Sequence, residues 1–168
     1  YPIASITSHI DDVNAQGNKI FSRDCPEYAI ELPNDKSIVV LPNHFKSKRG
    51  GDTLAGKARR AAQATRASEI AQAALAHTPY VLLAGDLNDT PTSPELAAVF
   101  DKGFTDVMDH PSYPTDRPGT FGTGLANNKI DYLIMSPTLA GTLQTTGIER
   151  RGSYHPQTWE PFDTVRNK

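Results

Sequence analysis

Residues 53–76 constrain this chain more than any other stretch, because their Ala, Arg, Gln and Glu content makes a long helix former set between two short runs that read as strands. Asp52 or Thr53 supplies an N-cap, and Thr78-Pro79 ends the helix. Its apolar stripe is mostly alanine, which allows close approach to a sheet. The flanking runs, 37–45 and 80–84, give the order strand, helix, strand and so an α/β fold. Further strands are expected over 3–10, 19–23 and 28–32, separated by Asn-Ala-Gln-Gly, Cys-Pro and Pro-Asn-Asp-Lys turn signals. A short helix is expected over 94–102, with Ser93 as cap and Pro94 at the first helical position. After Gly103 the repeated Pro and Gly residues predict a surface loop over a site. Residues 129–135 read as a strand and 142–149 as a weaker one. Beyond Arg150, residues Tyr154, His155, Pro156, Trp159 and Pro161 give no usable period.

The chain has 168 residues, 21% charged and 38% hydrophobic, which fits one globular domain and argues against disorder. No apolar run approaches the roughly 20 residues of a membrane span. A single cysteine, Cys25, excludes an internal disulfide and a cysteine-based zinc site. Net charge is −2, yet Lys46, Lys48, Arg49, Lys57, Arg59, Arg60 and Arg66 crowd a stretch whose only acid is Asp52. A local positive field is expected there.

Chemistry concentrates where the strand at 80–84 ends, in Gly85-Asp86-Leu87-Asn88-Asp89. Side chains two positions apart on an extended chain share a side, so Asp86 and Asn88 are placed to act on one water molecule or one metal ion. The alternative is a plain strand-to-loop turn, for which Gly, Asp and Asn are the usual residues. Two other strand ends are comparable. His44, in Asn43-His44-Phe45-Lys46, is either a site residue or a structural or exposed histidine. Asp131, in Lys129-Ile130-Asp131-Tyr132, would be costly to bury without a cation, a metal or a histidine; its alternative is an ion pair with a neighbouring Lys or Arg. Lys46, Lys48 and Arg49 form either a phosphate grip or a solvated charged loop. His9-Ile10-Asp11-Asp12 invites a metal interpretation, against which stands a solvated loop. His77 belongs to the end of the long helix, where a protonated imidazole suits the dipole. His110 and Trp159 have no assignable role. Phe121 or Tyr113 is available to stack on a base, or else to pack.

Together these residues resemble the endonuclease/exonuclease/phosphatase superfamily, which includes deoxyribonuclease-I-like nucleases, sphingomyelinases and inositol-polyphosphate phosphatases. The resemblance rests on Asn43-His44-Phe45-Lys46-Ser47-Lys48, Gly85-Asp86-Leu87-Asn88-Asp89-Thr90-Pro91 and Ile130-Asp131-Tyr132, in the family's order, with Phe21-Ser22-Arg23 and Tyr1-Pro2-Ile3 as further likenesses. It implies a four-layer α/β sandwich, here incomplete, and metal-dependent cleavage of a phosphate ester by in-line attack of water. In that scheme Asp86 takes a proton from the water and Asn88 holds the water or a metal-bound oxygen. His44 donates to a phosphoryl oxygen, and Asp131 orients a second histidine. Lys46, Lys48 and Arg49 grip substrate phosphate. A divalent ion, Mg2+ for preference, is the expected cofactor, with Asp86 and Asn88 as its ligands, because the donors are hard oxygens.

Nucleic acid is the expected partner; a sphingomyelinase, an inositol-phosphate phosphatase and a non-catalytic binding module are the alternatives. A bacterial secreted or periplasmic address is suggested by resemblance alone. Two family features are missing. No Ser-Asp-His follows Asp131, where His155 stands in Tyr154-His155-Pro156 instead, and the family's metal-binding glutamate belongs to a half that would precede Tyr1. Residues 1–168 are therefore expected to be the carboxyl-terminal part of one domain, impaired in isolation.

Overall fold

In the computed structural model, residues 1–122 and 124–150 are described. Strands β1 (Ile3–Thr7), β2 (Glu27–Leu32) and β3 (Lys36–His44) form an antiparallel meander. The chain then crosses through helix α1 (Leu54–Ala74) to β4 (Val81–Asp86), which pairs parallel to β3. Helix α2 (Ala97–Phe100), the two-residue β5 (Thr105–Asp106), β6 (Asp131–Met135) and helix α3 (Pro137–Ala140) follow. The six-stranded sheet has the order β1-β2-β3-β4-β6-β5. Thr53 caps α1 as its sequence position predicts, its hydroxyl accepting from the Gly56 amide at 3.1 Å.

Alternation along the central strands divides the sheet into two faces. On one, Val39, Leu41, Val81, Leu83, Tyr132 and Ile134 meet Ala64, Ala67, Ile70, Ala71 and Ala74 in one apolar core. Alanine lets the helix sit close, where larger side chains would hold it off. The other face carries Ile6, Tyr28, Val40, Leu82, Ala84 and Leu133, aligned across the strands and half-buried or exposed. The described residues thus build one sheet and its outer helical layer, two of the four layers that the resemblance implies.

Four sequence expectations need correction. Residues 19–23 form no strand: the Asn14 side chain accepts from the Gln16 and Asn18 amides, closing a turn that leaves only a Val13–Lys19 bridge. Residues 142–149 form none either, since the Thr146 amide donates to the Ser112 hydroxyl at 2.7 Å instead of to a neighbouring strand. The helix expected over 94–102 breaks into the 3-10 turn Pro94–Leu96, α2 and a second 3-10 turn, Asp101–Gly103, within which Lys102 takes φ 61. Ser93 still caps it, accepting from the Glu95 amide. Finally, β6 begins at Asp131 and not at 129, because Lys129 turns its side chain into the protein to meet Asp106 at 2.7 Å. Burial works against both charges of this pair, lowering the Lys129 pKa and raising that of Asp106, and their mutual attraction opposes it.

Candidate active site

Register brings the three strand-end motifs together. His44 on β3 is paired with Asp86 on β4, and Asp86 with Asp131 on β6, so the three form one row across neighbouring strands. The row closes one end of the open, half-covered face. Immediately before it, Gly85 has φ +133, and a Cβ there would stand 2.0 Å from the Asn43 carbonyl oxygen. Only glycine lets β3 and β4 approach this closely at the site.

Within the row, His44 Nε2 lies 3.7 Å from Asp86 Oδ2, an electrostatic contact too long for a hydrogen bond. His44 is 44% exposed and Asp86 29%, so the carboxylate is the more desolvated of the two. Burial pushes the Asp86 carboxyl above its ordinary range; the Asn88 amide pulls the other way, Asp131 adds to the rise, and His44 and Arg23 offset it. A carboxylate held closer to neutrality is a better proton acceptor than a salt-bridged one.

Asn88 reaches the site by a different route from the one its spacing suggests. It has φ 55, and its amide donates to Asp86 Oδ1 at 2.8 Å, so a side-chain-closed turn, not an extended strand, joins the two residues. Its Nδ2 donates to the Phe45 carbonyl at 3.1 Å, tying the end of β4 to the end of β3. Asp131 is exposed at the start of β6, and its amide donates to Thr120 Oγ1 at 3.0 Å. The ion-pair alternative for Asp131 does not describe its neighbour Lys129, whose ammonium donates to the Asp131 carbonyl and pairs with the Asp106 carboxylate.

Four members of the basic run, Lys48, Lys57, Arg60 and Arg66, meet acids. Lys48 Nζ lies 2.5 Å from Asp89 Oδ1, and Lys46 Nζ donates to the Ser47 carbonyl at 2.8 Å, while Arg49 is exposed on the loop beyond them. Arg60 is fully buried against Asp52 and Asp89, and Arg66 pairs with Asp12 and Glu69. The expected positive field is therefore reduced in part, by Asp89 and Asp12 from far along the chain and by Asp52 and Glu69 nearby, while Lys46 and Arg59 meet backbone carbonyls. Conversely, Arg23 acts on Asp86 from the loop between β1 and β2, anchored by the buried Phe21. Its sequence signal was only the Phe21-Ser22-Arg23 likeness; nothing local shows which strand end it faces.

Of the other candidates, His9 is held between Asp12 (3.1 Å) and Glu27 (2.8 Å) as a structural clasp. Among the described residues no group of three or more His, Cys, Asp and Glu is placed to hold a metal ion. His110 Nδ1 lies 2.8 Å from the Ser112 hydroxyl. Tyr113 is buried with its hydroxyl donating to the Pro118 carbonyl, whereas Phe121 is 64% exposed, so of these two Phe121 offers the open ring. Cys25 is buried, which pushes its thiol up to about 12. His155 and Trp159 lie outside the described residues.

Residues 8–155 match the model of the Endonuclease/Exonuclease/phosphatase family. The chain belongs to that family. Solved structures agree on the fold. A mannosyl-6-phosphatase from Bacteroides thetaiotaomicron superposes with TM-score 0.63 at 19% identity over 82% of this chain and 53% of its own. The human Nocturnin catalytic domain gives 0.57 at 13% identity, covering 81% and 48%, and sphingomyelinase C from Streptomyces griseocarneus 0.55 at 19%, covering 82% and 50%. The family member described here thus spans about half the length of each. No curated protein matches its sequence. Among the described residues, no helix is long and apolar enough to cross a membrane.

Proposed function

We propose that this family member contributes the water-activating half of a metal-dependent phosphoesterase that hydrolyses phosphodiesters of nucleic acid. The observation that carries the proposal is the single row His44, Asp86, Asp131, with Asn88 folded back onto it. Its parts match the needs of in-line attack on phosphorus. Asp86, desolvated and without a tight cation partner, accepts the proton of the attacking water. Asn88, fixed by the Phe45 carbonyl and by the Asp86 turn, holds that water in line. His44, the most exposed member of the pair, donates to a non-bridging oxygen, and the charge of Arg23 opposes the negative build-up.

Asp86, Asn88 and Asp131 offer carboxylate and amide oxygens, a donor set that suits Mg2+ but leaves most of its shell to other oxygens. Such an ion would neutralise charge on the phosphoryl group. Phe121 supports a nucleic-acid substrate. It follows Thr120, whose hydroxyl holds the Asp131 amide, and presents an aromatic face on which a base can stack.

The half-length match and the open sheet face support the further proposal that full activity needs the other half of a sandwich, and that this chain alone is severely impaired. The test compares the chain and a longer polypeptide containing it on plasmid DNA, bis-p-nitrophenyl phosphate and a phosphomonoester, with Mg2+. Diester cleavage by the longer form, lost in Asp86→Ala, is expected. Cleavage that survives both Asp86→Ala and His44→Ala overturns the assignment, and preference for the monoester moves it to a phosphatase.

A further inference from the structure

Helix α1 packs on the sheet through alanine, yet two of the side chains it buries completely are polar. Arg60 and Gln63 are both 0% exposed and lie one turn apart on the same helical face. Burying a guanidinium is expensive unless each of its donors is met, and packing alone would be served as well by an apolar residue of similar volume. What these two side chains touch explains their presence.

Arg60 Nε donates to Asp89 Oδ2 at 2.9 Å, Nη2 to Asp52 Oδ1 at 2.6 Å and Nη1 to the Lys46 carbonyl at 3.3 Å. Gln63 Oε1 accepts from the Lys46 amide at 2.8 Å, while its Nε2 donates to the Ile20 carbonyl at 3.2 Å. Lys46 closely follows His44, Asp89 follows Asn88, and Ile20 precedes Arg23. Each loop that carries a site residue from β3, from β4 or from the β1–β2 connection is therefore anchored to the same turn of the same helix. Asp89 is gripped further by Lys48 at 2.5 Å, and its carbonyl accepts from the Tyr132 hydroxyl at 2.7 Å, which extends the anchorage to β6.

We infer that Arg60 and Gln63 are positioning residues: a buried polar pair on α1 that holds the His44, Asp86–Asn88 and Arg23 loops in one mutual geometry. Neither touches the reacting atoms. They act by tying all three loops to one turn of α1, adding to the Lys48–Asp89 pair and the Asn88–Phe45 bond that link the β3 and β4 loops directly. The inference deepens the proposed phosphodiesterase site and rests on it for its kinetic consequence; its structural consequence stands without it.

The test uses two readouts on the full polypeptide. Gln63→Leu keeps the volume but removes both hydrogen bonds, and Gln63→Glu keeps the acceptor for the Lys46 amide. Hydrogen exchange at that amide is expected to accelerate in Gln63→Leu and to stay slow in Gln63→Glu. With bis-p-nitrophenyl phosphate and Mg2+, kcat per folded molecule should fall about 10²-fold in Gln63→Leu with KM little changed, the scale for a site displaced by about an ångström, and recover partly in Gln63→Glu. Arg60→Lys, whose three donors radiate from a single nitrogen and so lack the guanidinium's spread toward Asp89, Asp52 and the Lys46 carbonyl, should match Gln63→Leu in kcat. A Gln63→Leu variant with unchanged kcat, in a background where Asp86→Ala abolishes turnover, overturns the inference. So does unaltered exchange at Lys46. If the longer polypeptide, unmodified, hydrolyses nothing, the phosphodiesterase proposal falls, and the exchange result still decides whether Gln63 holds the loop.

Discussion

The two faces of the sheet are built from the same strands, residue by alternate residue, and they differ in what lies on them. Val39, Leu41, Val81 and Leu83 point into a dry core under α1 and are at most 5% exposed. Their neighbours Val40, Leu82 and Ala84 are only half-buried, and Leu133 beside them is 45% exposed. The site row belongs to this second face. The covered face thus supplies the rigidity and the open face presents the chemistry, with Gly85 beside the row where a side chain would meet the Asn43 carbonyl.

The largest expected effect tests that position. Gly85→Ala places a methyl 2.0 Å from a backbone oxygen at φ +133, and unfolding in urea should show a loss above about 4 kcal/mol, or no folded protein at all. Near-normal stability would mean that the two faces are not coupled there.

Next comes a direct measure of the asymmetry. Leu83→Ala, in the covered core, should cost about 3 kcal/mol, whereas Leu82→Ala, its neighbour on the open face, should cost about 1. Equal losses would show that the second face is buried in solution.

The open face should also carry a stability penalty at its site. Asp86 has a raised pKa, chiefly from burial, so its ionised form opposes folding at pH 7 and its protonated form does not. Asp86→Asn, which mimics the neutral state and keeps Oδ1 for the Asn88 amide, is expected to stabilise the protein at pH 7. That gain should shrink as pH falls through the raised folded value and vanish below 3.8, the ordinary value. Asp89 behaves oppositely: burial raises its pKa, but Lys48, the Thr90 amide and Arg60 outweigh it, so its contribution to stability is present above 3.8 and lost in stronger acid. Carboxyl titration followed by NMR should find Asp86 protonating before Asp89.

The smallest effect is on association. Leu133→Lys should change stability by no more than about 0.5 kcal/mol while reducing self-association in sedimentation, since exposed apolar faces drive contact between copies.

Much of this was legible in the residues. The long helix and its Thr53 cap, the strands around it and the three motifs at strand ends follow from local propensity and period, which depend on neighbours in sequence. Two of the failures share a cause. Residues 19–23 have a strand-like composition but are held by the Asn14 turn, and Thr146 spends its amide on Ser112, so side chains competing for backbone groups overrode the pattern. The basic run reads as more openly cationic than it is because two of the acids that pair with it, Asp12 and Asp89, lie far away along the chain.

Sequence alone determined the long helix and the strands beside it, the family likeness and the chemical vocabulary of His44, Asp86, Asn88 and Asp131, because those are properties of short segments. Tertiary structure decided that three of them stand in one row, that the Asn88 side chain meets the Phe45 carbonyl, that Lys48 answers to Asp89 and that the charge of Arg23 is felt at Asp86. Those facts depend on strand order and register, which are fixed by which faces pack together and leave no mark on any single segment.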